Sequence, residues 1–384
     1  MIPYGRQDIT QTDVDAVCET LLGDFITQGP KIAEFENVIA DTCDVTHAIA
    51  VSSATAALHI AYLALDLGPG DLLWTSPNTF VATSNAALYC GASVDFIDID
   101  PDTYVMCLDT LEARLKAAAK TRALPKVVVP VHFAGQSCDM ERLGALADTY
   151  GFRVVEDASH AIGGSYRGAP VGNCAHSDIC VFSFHPVKIV TTAEGGVATT
   201  RDPDLATRLT ELRSHGITRD PARMLGQSHG PWYYEQISLG YNYRITDLQA
   251  ALGVSQMSRL ADYTAARHAR RKVYDQALAD LPVKLPHQPN FQHSGLHLYP
   301  VLLRDEAPVN REVAFDQLRA LGIGVNVLYI PVYLQPYYAK LGFEAGLCPV
   351  AEDYYARMLA LPMYAKLTEE EQSTVVAAMH RVLG

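Results

Sequence analysis

Thr46-His-Ala-Ile-Ala-Val-Ser-Ser-Ala-Thr-Ala-Ala-Leu-His-Ile-Ala-Tyr-Leu-Ala-Leu65 carries two local preferences in succession. As far as Ser53 it is an apolar run of strand length. From Ala54 it is dense in alanine and leucine, which lose little side-chain freedom in a helix. A helix is therefore expected to begin near Thr55, directly where a strand has ended.

The same change of preference recurs to about residue 200. Leu72–Ser76, Val94–Asp98, Val127–Phe133 and Arg153–Asp157 read as further strands, with helical segments at 79–90, 109–119 and 139–150. Alternation of this kind predicts an α/β domain on a mainly parallel sheet with helices on both faces. Ligands of such sheets collect beyond the carboxyl ends of the strands. That rule singles out the Ser53-to-Thr55 turn, Asp157 and the residues after Phe182.

Further along, 246–280 reads as one long helix carrying Arg267, Arg270, Arg271 and Lys272, and a Pro/His/Gln-rich passage at 282–293 follows. Beyond it, strand-like His297–Leu303 and Gly324–Ile330 flank a helix-like 310–321, too little for a second doubly wound sheet. The expected division is a large α/β domain at 1–250 with an N-terminal arm, and a small α+β domain at 251–384 that includes the linking helix.

The chain has 384 residues, of which 49% are hydrophobic, enough to fill substantial cores. Its formal net charge of −13 argues against nucleic acid or an anionic membrane as a partner, because both attract basic surfaces. No run of eighteen apolar residues occurs, and Met1–Asp8 lacks the basic-then-apolar pattern of a secretory signal. Cys18, Cys43, Cys90, Cys107, Cys138, Cys174, Cys180 and Cys348 form no C-x-x-C pair, so neither a metal site nor a disulfide framework is expected. A cytoplasmic location fits these features.

Chemistry concentrates in Val181-Phe-Ser-Phe-His-Pro-Val-Lys-Ile-Val-Thr-Thr-Ala-Glu-Gly-Gly-Val197, a strand and turn that deliver Lys188. Some thirty residues earlier, Val154-Val-Glu-Asp-Ala-Ser-His160 brings Asp157 to a strand end and His160 three residues later. Singly, each has a plainer reading: Lys188 as a solvated lysine, Asp157 as a helix cap, His160 as a core histidine. Together they match pyridoxal phosphate, which needs a lysine amine, a carboxylate to keep its pyridine nitrogen protonated, and donors for its phosphate. A helix opening at Ser53–Ala56 offers those donors, since its first N–H groups are free and its dipole end is positive. Ser183 adds a hydroxyl.

Ser53–Leu58, Glu156–Ala161, Phe182–Lys188, Glu194–Gly196, Arg213–Gly216 and Gly240–Gly253 together resemble the DegT-type sugar aminotransferases, in order and spacing, over nearly the whole chain. The resemblance implies an aspartate aminotransferase-like PLP-dependent transferase of fold type I. It makes Lys188 the Schiff-base lysine, pairs Asp157 with the pyridine nitrogen, brings His160 to the ring hydroxyl, stacks Phe80 on the ring, and assigns the phosphate to Thr55, Ala56 and Ser183. It further implies a homodimer with shared active sites, in which Asn242 reaches the partner's cofactor phosphate. No role is implied for His185 or the Arg213–His215 loop.

Members of the family that remove a hydroxyl carry histidine in place of the lysine, so Lys188 implies transamination, with L-glutamate as amino donor and a nucleotide-linked keto sugar as acceptor. Ser159–Gly163, Thr191–Gly196, His297–Pro300, Tyr329–Tyr333 and Ala351–Tyr355 are similar to the branch acting in pseudaminic acid biosynthesis. That implies a UDP-linked 4-keto-6-deoxy-2-acetamido sugar of L-arabino configuration. The D-xylo epimer and a UDP-4-keto-pentose stay open, as does, from another class, a catalytically silent cofactor-binding regulator.

Overall fold

The computed structural model describes residues 1–384. Seven strands form the main sheet: β1 (His47–Val51), β2 (Leu72–Thr75), β3 (Ser93–Phe96), β4 (Val127–Val129), β5 (Arg153–Asp157), β6 (Ile179–Ser183) and β7 (Gly196–Thr200), in the order β1-β7-β6-β5-β4-β2-β3. Pairings among β2 to β6 are parallel, whereas β7 runs antiparallel to both β1 and β6. Every residue of β6 and β7 is buried, which is the burden of a sheet covered on both faces.

The helices expected between the strands are present. The run after Ser53 is α1 (Ala54–Ala64), capped by the Ser53 hydroxyl, which accepts from Ala56 N–H at 3.1 Å. Then come α2 (Ala82–Tyr89), α3 (Leu108–Thr121) and α4 (Met140–Tyr150). The stretch expected as one helix over 246–280 is two, α5 (Asp247–Met257) and α6 (Leu260–Ala277). The break falls at Ser258 and Arg259. There Ser258 Oγ donates back to Ser255 O, and the Arg259 guanidinium turns to the buried carboxylate of Asp13 at 2.7 Å.

A second core of 22 buried residues lies within 274–383, around the strands Val283–Lys284, Tyr299–Leu303 and Met358–Leu361. Gly324–Ile330 is not the strand its sequence suggests; only Asn326 makes a bridge, to Ala360. The reason lies in its amides. Val327 N–H donates to the Asn326 side chain, Leu328 N–H to Met358 Sδ, and Tyr329 N–H to Asn78 Oδ1 across the molecule. The first residues belong to this part too, since Ile2 exchanges backbone bonds with Gly322 and Gly324. No helix is long and apolar enough to cross a membrane.

Candidate active site

The carboxyl ends of β5 and β6 and the start of α1 converge on a cavity of ≈ 500 Å³. Thr55, Phe80, Asp157, His160, Ser183 and Lys188 all line it, although they span more than 130 positions of sequence. A parallel sheet brings such residues together because its strand ends lie side by side.

Lys188 follows a turn in which its own N–H donates to His185 O at 2.9 Å. Burial pushes its amine down to about 8, and the nearby Asp157 carboxylate opposes that shift. Asp157 is itself buried and fully engaged: Thr83 Oγ1 donates to Oδ2 at 2.7 Å, while Ser159 Oγ and N–H donate to Oδ1 at 2.6 and 3.2 Å. These bonds fix the orientation of the carboxylate.

His160 is uncharged. Burial holds its imidazole well below the ordinary range, and Lys188 adds to the effect. Its Nε2 lies 3.3 Å from the Tyr329 hydroxyl, whereas its buried Nδ1 has no partner. Phe80 is 60% exposed and stands at the mouth, an expensive position for a large aromatic with no ligand to cover.

At the start of α1, Ala54 and Thr55 keep N–H groups that no protein acceptor takes, while that of Ala56 is already held by Ser53. The backbone is packed tightly here, because a Cβ on Gly196 would lie 2.5 Å from Ala54 N. An anion therefore meets two free amides and a helix dipole, with Lys188 the one lysine or arginine among the lining residues. The uncharged imidazole, the free amides and the half-buried lysine beside a buried carboxylate together fit a planar, phosphorylated aldehyde.

Two expected site residues stand apart. Ala56 does not line the cavity, and Asn242 is exposed on a segment beside β1, where Tyr243 O accepts from Ser52 N–H at 2.8 Å. Within one chain Asn242 does not reach the site. Sequence reasoning passed over Thr83, Ser159, Tyr4 and Tyr329. Thr83 had a signal, a polar residue in the first turn of a helix that follows a strand. Tyr329 had none, since it arrives from the far part of the chain.

Residues 7–380 match the family described as DegT/DnrJ/EryC1/StrS aminotransferases. The chain belongs to this family. Among its relatives, the spore coat polysaccharide biosynthesis protein SpsC of Bacillus subtilis is 38% identical, covering 100% of this chain and 97% of that protein. The UDP-4-amino-4,6-dideoxy-N-acetyl-beta-L-altrosamine transaminase of a Campylobacter jejuni strain is 36% identical, covering 100% and 98%. Among solved structures, Helicobacter pylori PseC superposes with a TM-score of 0.91 at 29% identity, covering 100% of this chain and 99% of that one. The sugar aminotransferase Spr1654 of Streptococcus pneumoniae, described as putative and solved in a PLP form, gives 0.88 at 29% identity and covers 100% of both chains. The DegT-family protein is thus a pyridoxal-phosphate-dependent nucleotide-sugar aminotransferase of fold type I.

Proposed function

We propose that this DegT-family enzyme transfers the amino group of L-glutamate to C4 of a UDP-linked 2-acetamido-2,6-dideoxy-4-hexulose of L-arabino configuration, in pseudaminic acid biosynthesis. The observation that carries the chemistry is the enclosure of Lys188, Asp157 and His160 in one cavity with free amides at its floor. The choice of sugar is supported by the 36% identity to the altrosamine transaminase, similar over its whole length.

Pyridoxal phosphate bound there supplies an electron sink for the carbanion formed when the amino acid loses its α-proton. In this reading Lys188 holds the cofactor and, when released, moves protons with its amine. Asp157, oriented by Thr83 and Ser159, pairs with the ring nitrogen. Ala54, Thr55 and Ser183 take the phosphate, Phe80 covers the ring, and His160 meets the ring hydroxyl. Asn242 serves the site of the other protomer in a homodimer, which we place in the cytoplasm.

The slightly higher identity to the spore coat protein favours one second reading, the same reaction on another nucleotide-linked keto sugar, such as the D-xylo epimer or a UDP-4-keto-pentose. Separate incubations of the enzyme with glutamate and each C5-epimeric UDP-2-acetamido-4-keto-6-deoxy sugar, followed by mass spectrometry, decide between them. Amination of the L-arabino epimer alone is expected. Amination of the D-xylo epimer alone would move the enzyme to the second reading.

A further inference from the structure

The segment 294–298 crosses from the C-terminal core to the back of the cavity and is fixed there from two sides. Gly295 N–H donates to Gly135 O at 3.0 Å, and His297 N–H to Ala134 O at 2.9 Å. The approach is close enough to require glycine: a Cβ on Gly135 would lie 2.6 Å from Leu296 N and 2.8 Å from His160 O, and one on Gly295 would lie 2.9 Å from Ile162 O. On the other side stands Arg267 of α6, 2% exposed and without a carboxylate partner. Its Nη1 donates to the carbonyls of Leu296 (3.3 Å), His297 (3.3 Å) and Met363 (2.9 Å). A buried guanidinium with no counter-ion is costly, and three carbonyls offset only part of that cost.

What this scaffold holds in place is the imidazole of His297. It is 4% exposed, and its centroid lies 4.5 Å from that of His160 with the ring planes at 43°. Neither ring has a partner for its Nδ1. An apolar side chain of similar size, such as leucine, would avoid burying an unsatisfied nitrogen, so packing alone gives no reason for a histidine here.

We propose that His297, held by Arg267, is a positioning residue for the transamination, fixing through ring contact the orientation of His160 at the cofactor's ring oxygen. This rests on the assignment of His160 made above. The ionisable groups that face His297 are His160, Lys188, Arg267 and His185. Burial foremost, and then the charges of Lys188 and Arg267, keep His297 uncharged, so it acts through its dipole and shape and transfers no proton of its own.

The test reads the bound cofactor as well as turnover. In His297→Phe, His160 loses its polar neighbour and donates less steadily to the ring oxygen. The visible absorption of the cofactor-loaded enzyme should then titrate with a midpoint raised by about one pH unit, while kcat falls and KM for glutamate stays near the wild-type value. His297→Gln keeps a hydrogen-bonding edge and should restore most of the midpoint. His297→Leu stands in if the phenylalanine variant does not fold. A wild-type midpoint in either folded variant that lacks the ring nitrogens overturns the proposal. Failure of the underlying cofactor assignment looks different: the wild-type enzyme itself would show no visible band that glutamate bleaches.

Discussion

Lys188 works because it is a lysine that has lost its water. Its folded value of about 8 lies below the ordinary 10.5, so between these two values the unfolded chain binds more protons than the folded one. The cofactor-free protein should therefore gain stability as pH rises through that window, and below it should carry the full penalty of a buried ammonium. The same shift sets reactivity, since only the neutral amine attacks an aldehyde. Attachment of pyridoxal phosphate, followed by rapid-mixing absorbance, should speed up about tenfold per pH unit below the lysine's value and level off above it. A rate that keeps climbing tenfold per unit well beyond pH 8, towards the ordinary 10.5, would mean that Lys188 is not desolvated in the way its surroundings imply. Asp157 was legible beside Lys188 in the sequence; its donor Thr83 was not, because it lies 74 positions away and is aimed at Asp157 only by the packing of α2.

Among the elements, the contact between α1 and β7 does most to shape the phosphate end of the site. Gly196 lets the first turn of α1 press against the sheet, where a Cβ would collide with Ala54 N and with Ser53 C at 2.5 Å. Gly196→Ala should push that turn away, at a cost of about 1–3 kcal/mol of overpacking. Cofactor affinity should fall with it, by about tenfold or more, because the free amides of Ala54 and Thr55 would no longer converge. Equilibrium dialysis alongside thermal unfolding checks both effects, and unchanged affinity would remove α1 as the phosphate site. Most helices here were readable because composition and periodicity are local. The break between α5 and α6 was not, since no proline or glycine marks Ser258–Arg259 and its cause is an ion pair to Asp13, some 246 positions away. Gly324–Ile330 misled for a related reason: its β-branched composition suits a strand, but its amides are spent on Asn326, Met358 and Asn78.

The whole molecule leaves one assigned residue, Asn242, outside the cavity its own chain forms. If it completes the site of a second copy, defects in the two residues should complement. Lys188→Ala and Asn242→Asp, each inactive as a pure dimer, would on random reassortment form mixed dimers in which one site carries both lesions and the other neither, recovering up to about a quarter of wild-type activity. No recovery, with mixed dimers confirmed by native mass spectrometry, would confine Asn242 to its own protomer. The N-terminal residues also act at this scale, since Tyr4 lines the cavity while its carbonyl accepts from Met363 N–H at 3.0 Å, tying the chain's two ends to one site.

By itself, the sequence determined the alternating fold, the strand ends at which chemistry would gather, and the lysine, carboxylate and imidazole that make the cofactor legible. All of these are written in short stretches whose periodicity and turn residues act locally. Tertiary structure alone decided which hydroxyls hold Asp157, that the Ala56 amide is already taken, that Tyr329 faces His160, and that Arg267 and His297 stand behind it. Apart from the short links of Ser159 to Asp157 and Ser53 to Ala56, those contacts join residues far apart in the chain, and their energies come from burial and close packing, which exist only once the chain has folded.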